Sequence, residues 1–314
     1  MKTAGKSIDE KKGFGAAFAP DRTAADRERP VRRSGGGVGF GRLLTAEWRK
    51  LWKRRSAKLM ALAGPLTGLV SVKYLLSQNA ALDPGLPEYA TAGSVPVLAL
   101  AEMLVTVFSG MMLVLAGLTV TEEYRGGQLR MGMLRAVSLG RIMAAKWVAC
   151  LLFMLIQLGT YFVCTAAAGR ALFPNPESYP LFYGAGRVSY GEGLLYDLRY
   201  YALAALALGV LLTVFFWLAA VGRSSTVTLG LGIGFLLVSY MLPTLLSYFR
   251  PLFGTEEYVR IYFLSLVTIE WEGIAAMLAD LHGLRLWNLG VLAGYGLLFG
   301  LMTVWTWKRR DTFE

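Results

Sequence analysis

Histidine occurs once in the 314 residues, as His282, and cysteine twice, as Cys150 and Cys164. Zinc sites draw on three or four clustered ligands, so this supply excludes an ordinary zinc centre. Both cysteines lie inside one apolar stretch, which leaves no disulfide framework and gives them the role of small packing residues. Charge is scarce too. Only 17% of the residues are charged and 55% are hydrophobic, whereas a soluble domain carries about 25% charged residues. That deficit points to lipid as the solvent, because a charge in hydrocarbon costs several kcal/mol. Gly5-Lys6-Ser7 resembles the end of a phosphate-binding loop, but the leading glycine of G-x-x-x-x-G-K-[ST] would precede Met1, so the loop is expected to be absent. No cofactor is expected on this chain, and no catalysis by it alone.

What charge there is sits unevenly. Residues 1–56 hold 15 Lys and Arg against 6 Asp and Glu, a balance of +9, and the whole chain carries +11, so the other 258 residues contribute only +2. Residues 1–40 are charged, Gly-rich and without apolar periodicity, and read as a disordered basic cytoplasmic tail. No apolar run follows their lysines, so they are not expected to act as a signal peptide. The basic stretch precedes the first apolar segment, so anionic lipid explains it better than nucleic acid does.

Residues 41–56, GRLLTAEWRKLWKRRS, bring Leu44, Trp48, Leu51 and Trp52 onto one helical face, with Arg42, Arg49, Lys50, Lys53 and Arg54 around the rest. This is the pattern of an amphipathic interfacial helix on the cytoplasmic membrane surface; a snorkelling cap on the first span is the alternative. Six apolar segments follow, at about 58–77, 96–121, 146–169, 200–221, 226–248 and 287–307, each near the ~20 residues that cross a bilayer. The segments expected inside hold 25 Lys and Arg and the loops expected outside hold 6. The positive-inside rule then places both termini in the cytoplasm of a multi-pass cell-membrane protein.

The expected fold is therefore all-α: six transmembrane helices spanning a single domain of residues 41–314, an N-terminal interfacial helix, and short outer helices between spans five and six. The last are read from IYFLSLVTI and EWEGIAAMLADL, in which Trp271, Ile274, Ala275, Leu278 and Leu281 share a face. Residues 170–199, with Pro174, Pro176 and Pro180 among aromatics, read as an irregular segment at the outer interface. Glycines four apart, at Gly64 and Gly68, Gly230 and Gly234, Gly290 and Gly294, and Gly296 and Gly300, allow close helix contact in lipid.

The inner connection between spans two and three, residues 119–147, is long for a passive turn. It opens with Glu122 and Glu123, breaks at Gly126-Gly127, and continues as a short helix with Leu129, Met133 and Leu134 between Arg130 and Arg135. Ser138 to Arg141 read as a second break before Lys146 opens the third span. Such a helix can transmit a push from a cytoplasmic partner; a solvated loop obeying the positive-inside rule is the plainer reading.

The segment resembles the corresponding region of ABC-2-type ABC transporter permeases. The resemblance rests on Glu123, Gly126-Gly127-Gln128, Leu134, Ser138-Leu139-Gly140-Arg141 and Lys146. Glu47-x-x-Lys50 in the interfacial helix, the turn Gly222-Arg223-Ser224-Ser225 and the tail Lys308-Arg309-Arg310-Asp311 add to it. Gln128 stands where that family has Thr, and the connection 170–199 is longer than the family's. The resemblance implies the permease subunit of an exporter, paired with a second permease copy or a paralogue. A separate ABC ATPase subunit would carry the ATP and Mg. Docking would use the interfacial helix (Glu47, Trp48, Lys50, Leu51, Trp52) and a coupling segment drawn from Glu122, Glu123, Arg125, Gly126, Gly127, Leu129, Arg130, Leu134, Arg135 and Arg141.

Two other classes compete. Glu122-Glu123 also resembles the paired glutamates of membrane-embedded prenyl-type proteases, but Gly127 stands where an Arg is required and the later histidines are lacking. An ion-coupled secondary transporter or channel would need ionisable residues at membrane depth. Lys73 and Glu102, at similar depth in spans one and two, are the candidates for such an intramembrane pair; both snorkelling to the outer interface is the alternative.

Overall fold

The computed structural model describes residues 39–126, 138–181, 186–222, 224–279 and 283–311. The expected tail, apart from Gly39 and Phe40, lies outside them. So do Arg223, His282 and the segment 127–137.

The described chain is an all-α membrane protein. Its first helix, α1 (Phe40–Lys53), is amphipathic; six helices long and apolar enough to cross a membrane follow it. These are α2 (Arg55–Asn79), a bent span made of α3 (Val95–Met103) and α4 (Ser109–Gly126), then α5 (Leu139–Leu172), α6 (Tyr190–Gly222), α7 (Ser225–Tyr248) and α11 (Leu284–Asp311). Between α7 and α11 lie α8 (Thr255–Tyr262), α9 (Leu266–Thr268) and α10 (Ile274–Leu278). Long apolar runs form helices here because, in lipid, a helix satisfies its own backbone polar groups.

The helix α6 is the centre of the bundle. About 72% of its most apolar window is buried, against 11% for α7 and for α11. Side chains with polar tips tie its neighbours together. Tyr161 of α5 donates to the Ala99 carbonyl of α3 at 2.8 Å and meets Ser71 of α2 at 2.9 Å. Tyr201 of α6 donates to the Pro96 carbonyl at 3.0 Å.

The paired glycines divide into two groups. Gly64 and Gly68 of α2 lie against Gln157, Tyr161 and Thr165 of α5, and Gly296 and Gly300 approach Val210 and Thr213 of α6. Gly230, Gly234, Gly290 and Gly294 face open space in this chain, and in α7 it is Gly232 that packs closely, against Leu113.

Two connections differ from expectation. The third membrane helix begins at Leu139, so there is no break at Arg141, and Lys146 lies two turns inside α5. The stretch 170–199 is also more ordered than its prolines imply. β1 (Ser178–Pro180) pairs antiparallel with β2 (Arg187–Ser189), and Gly186 takes a φ of +108°, a left-handed value that glycine adopts without strain. Tyr179 of β1 is buried in a slot between Gly93 and Gly193, neither of which leaves room for a Cβ.

The short helices between α7 and α11 form a re-entrant element. Ser225, the first residue of α7, has its Oγ 2.7 Å from Thr121 Oγ1 of α4, and Arg54, just after α1, reaches α4 one turn earlier. The start of α7 therefore lies at the α1 end of the bundle and its finish at the opposite end. Trp307, near the finish of α11, shares a cavity with Ala144 near the start of α5, so α11 begins at that opposite end as well. In between, Ser265 donates to the Ser239 carbonyl of α7 at 2.7 Å. That contact is nine residues before the end of α7, about 14 Å along a helix. The chain thus dips in, bends by 96° between α8 and α9, and returns.

Candidate functional site

The candidate site lies at the α1 end, where the helices flanking the segment 127–137 meet α1. One face of α1 carries Glu47, Trp48, Leu51 and Trp52 at helical spacing. The structure turns that face onto protein. Leu51 is buried, Trp48 and Trp52 are half-buried, and Trp52 stacks obliquely on Phe153 of α5 with ring centroids 5.5 Å apart. Both rings keep part of their surface outside the protein. Arg42, Arg49, Lys50 and Lys53 remain exposed.

At the centre of this contact is an ion pair. Glu47 Oε2 lies 2.6 Å from Nζ of Lys146, and its Oε1 lies 2.7 Å from Nζ of Lys50. Glu47 is 4% exposed, Lys146 is fully buried, and Lys50 is half-exposed at 49%. Burial by itself would raise the Glu47 carboxyl. The charges and hydrogen bonds of Lys146 and Lys50 outweigh it and hold the group below its ordinary value. Arg54 makes the second tie, donating through Nη1 to the Leu118 carbonyl of α4 at 2.8 Å. The short helix and the residue that caps it are thereby tied to both helices that bracket 127–137.

The expected coupling residues fall on either side. Glu122, Glu123, Arg125 and Gly126 form the last turn of α4. Arg141 is exposed on the first turn of α5. Gly127, Leu129, Arg130, Leu134 and Arg135 lie outside the described residues. Lys73 and Glu102 are both exposed, and among the described residues no ion pair joins them.

At the opposite end, α7 and the re-entrant element enclose a cavity of about 250 Å³. Tyr240, Thr244, Trp271 and Glu272 line it, and Tyr262 donates to Glu272 Oε2 at 3.2 Å. Of the residues expected to share a face, Ile274 and Ala275 are buried and Leu278 partly so, while Leu281 lies outside the described residues. Trp271 is exposed, and Glu270 is buried with Ile274 and Met277. Spacing carried that signal, since 270, 274 and 277 follow a helical period. Asp197 of α6 is a second buried acid that the sequence reading passed over. Among the described residues, no three His, Cys, Asp or Glu side chains are grouped to hold a metal.

Comparison with known families gives a match. Residues 67–313 fit the family model described as "Protein of unknown function (DUF2705)". That span covers most of the chain, which therefore belongs to the DUF2705 family. No curated protein matches the chain.

Proposed function

We propose that this DUF2705 member is the membrane-spanning permease subunit of an ATP-binding cassette exporter, coupling ATP hydrolysis on a separate subunit to movement of a substrate across the membrane. The observation that carries the reading is the double tie of α1, through Glu47 to Lys146 of α5 and through Arg54 to Leu118 of α4. A force applied to residues 127–137, or to the exposed basic face of α1, reaches two membrane helices together. Rigid helices and hydrogen-bonded contacts are what can carry such a push.

In this reading the α1 end faces the cytoplasm, where the ATPase holds its ATP and Mg. The opposite end, with the re-entrant element and its cavity, faces outward and forms part of the exit. The sparsely buried α7 and α11 leave apolar faces for lipid and for a second permease copy or a paralogue. The ordered sequence features that resemble ABC-2-type permeases support the same assignment.

The test is a photo-crosslinking amino acid placed at Leu134 in native cells. The proposal predicts an adduct with a protein that bears a phosphate-binding loop. Adducts with lipid alone would overturn it.

An ion-coupled secondary transporter is the second reading, and the carboxyls of Glu270 and Asp197 that the fold buries are what favour it, since an acid held out of water is costly. Transport that persists after ATP depletion and collapses with the ion gradient would select it.

A further inference from the structure

Two π-helical turns meet inside the bundle. One, Leu104–Phe108, separates α3 from α4; the other, Ile269–Gly273, joins α9 to α10. Turns of this kind recur at functional sites. Across their seam, Glu270 Oε2 lies 2.8 Å from Ser109 Oγ, and both residues are buried, Glu270 at 1% exposed.

Ser109 Oγ also lies 3.1 Å from the Leu104 carbonyl. A hydroxyl has a single hydrogen. If it goes to Glu270 as a carboxylate, the charge rests on one neutral hydroxyl, and the other oxygen, Oε1, has no partner at all. An ionised carboxylate left this way in an apolar interior costs far more than a neutral acid. If Glu270 is protonated, both contacts are satisfied: its O–H donates to Ser109 Oγ, and Ser109 donates to Leu104.

Among the described residues, the surroundings supply no countercharge. The turn 104–108, α9 and α10 contain no ionisable residue. On α11, Arg285 is exposed and the buried Asn288 is neutral. From α6, the titratable neighbour is Tyr200, flanked by Tyr196. On its own turn, Glu272 is engaged by Tyr262.

We propose that Glu270 is a proton-binding site, and that one proton held between Glu270 and Ser109 seats the re-entrant element on the span formed by α3 and α4. Release of that proton places an unanswered charge in the seam and loosens the seat. The inference does not depend on an ATPase partner.

The test uses the full chain in lipid nanodiscs and infrared difference spectroscopy. The wild type is expected to show the carbonyl stretch of a protonated carboxyl at neutral pH, lost on alkalinisation. Glu270→Gln, which keeps a donor for Ser109, is expected to lack that band and to keep its melting temperature at alkaline pH, where the wild type loses stability. Ser109→Ala keeps the proton but removes its acceptor, so the band moves to higher frequency. A spectrum unchanged by Glu270→Gln, or a band that Ser109→Ala leaves in place, would overturn the proposal. Asp197 is present in every variant and cancels in the comparison.

Discussion

Glu47 Oε2 and Lys146 Nζ are 2.6 Å apart across 99 positions of sequence, and both side chains are closed to solvent. A buried ion pair adds little over a well-packed apolar pair, but removing one member leaves a stranded charge, at about 3–5 kcal/mol. Glu47→Leu is therefore expected to destabilise the protein by that amount, and Lys146→Met by a similar amount. The double variant Glu47→Leu with Lys146→Met should recover most of the loss. Thermal denaturation in detergent, read as a double-mutant cycle, checks this; additive losses would contradict the pairing.

The same pair sets an acid limit. Glu47 has its carboxyl held below the ordinary value of 4.5 by its lysines, so the folded state binds fewer protons there than the unfolded state does. The stabilisation is present above that ordinary value and is lost as pH falls through the lower, folded one. On acidification α1 should detach from α5 before the membrane helices unfold. Fluorescence of Trp52, isolated by replacing the other tryptophans with Phe, follows the step, and Glu47→Gln should abolish its pH dependence.

Arg54 should act on coupling more than on folding. Its guanidinium meets the Leu118 carbonyl two turns before the end of α4, so the contact adds to the helix's own hydrogen bonds and fixes α4 against the chain that follows α1. Arg54→Ala is expected to leave membrane insertion intact. It should lower substrate-stimulated ATP hydrolysis by the assembled complex several-fold, a loss of about 1–2 kcal/mol. Arg54→Lys, which keeps a donor, should retain part of the activity.

At the opposite end, Tyr179 fills its slot so closely that added carbon has nowhere to go. Gly193→Val and Gly93→Val should each cost about 1–3 kcal/mol through overpacking and expose residues 170–199 to protease. Burial pushes the Tyr179 phenol upward, and its hydroxyl has no partner in the slot. Tyr179→Phe should accordingly be neutral or slightly stabilising. Melting curves of the three variants separate crowding from loss of the hydroxyl.

The spans were legible because each is a long apolar run, and a run of that length has one stable form in lipid. Their ends were harder to place. Lys146 read as the edge of the membrane because a charge ordinarily marks water, yet here the charge is answered by Glu47, and α5 starts seven residues earlier. The slot for Tyr179 depends on Gly93 and Gly193, each distant in sequence, and no local pattern announces it. Glu270 was visible as a carboxylate at helical spacing from Ile274, but the exposed Trp271 beside it defined the apolar face instead. Of the residues expected on the interfacial helix, Glu47 and Lys50 take part in a contact whose other partner, Lys146, the sequence offered only as a motif letter.

The most direct test of the central claim is purification of the tagged chain from its native membrane in mild detergent, with mass spectrometry of what co-elutes. The account predicts a stoichiometric partner bearing a phosphate-binding loop, retained by the wild type and lost on combining Arg130→Glu with Arg135→Glu. An intact permease assembly that carries no ATPase would contradict it.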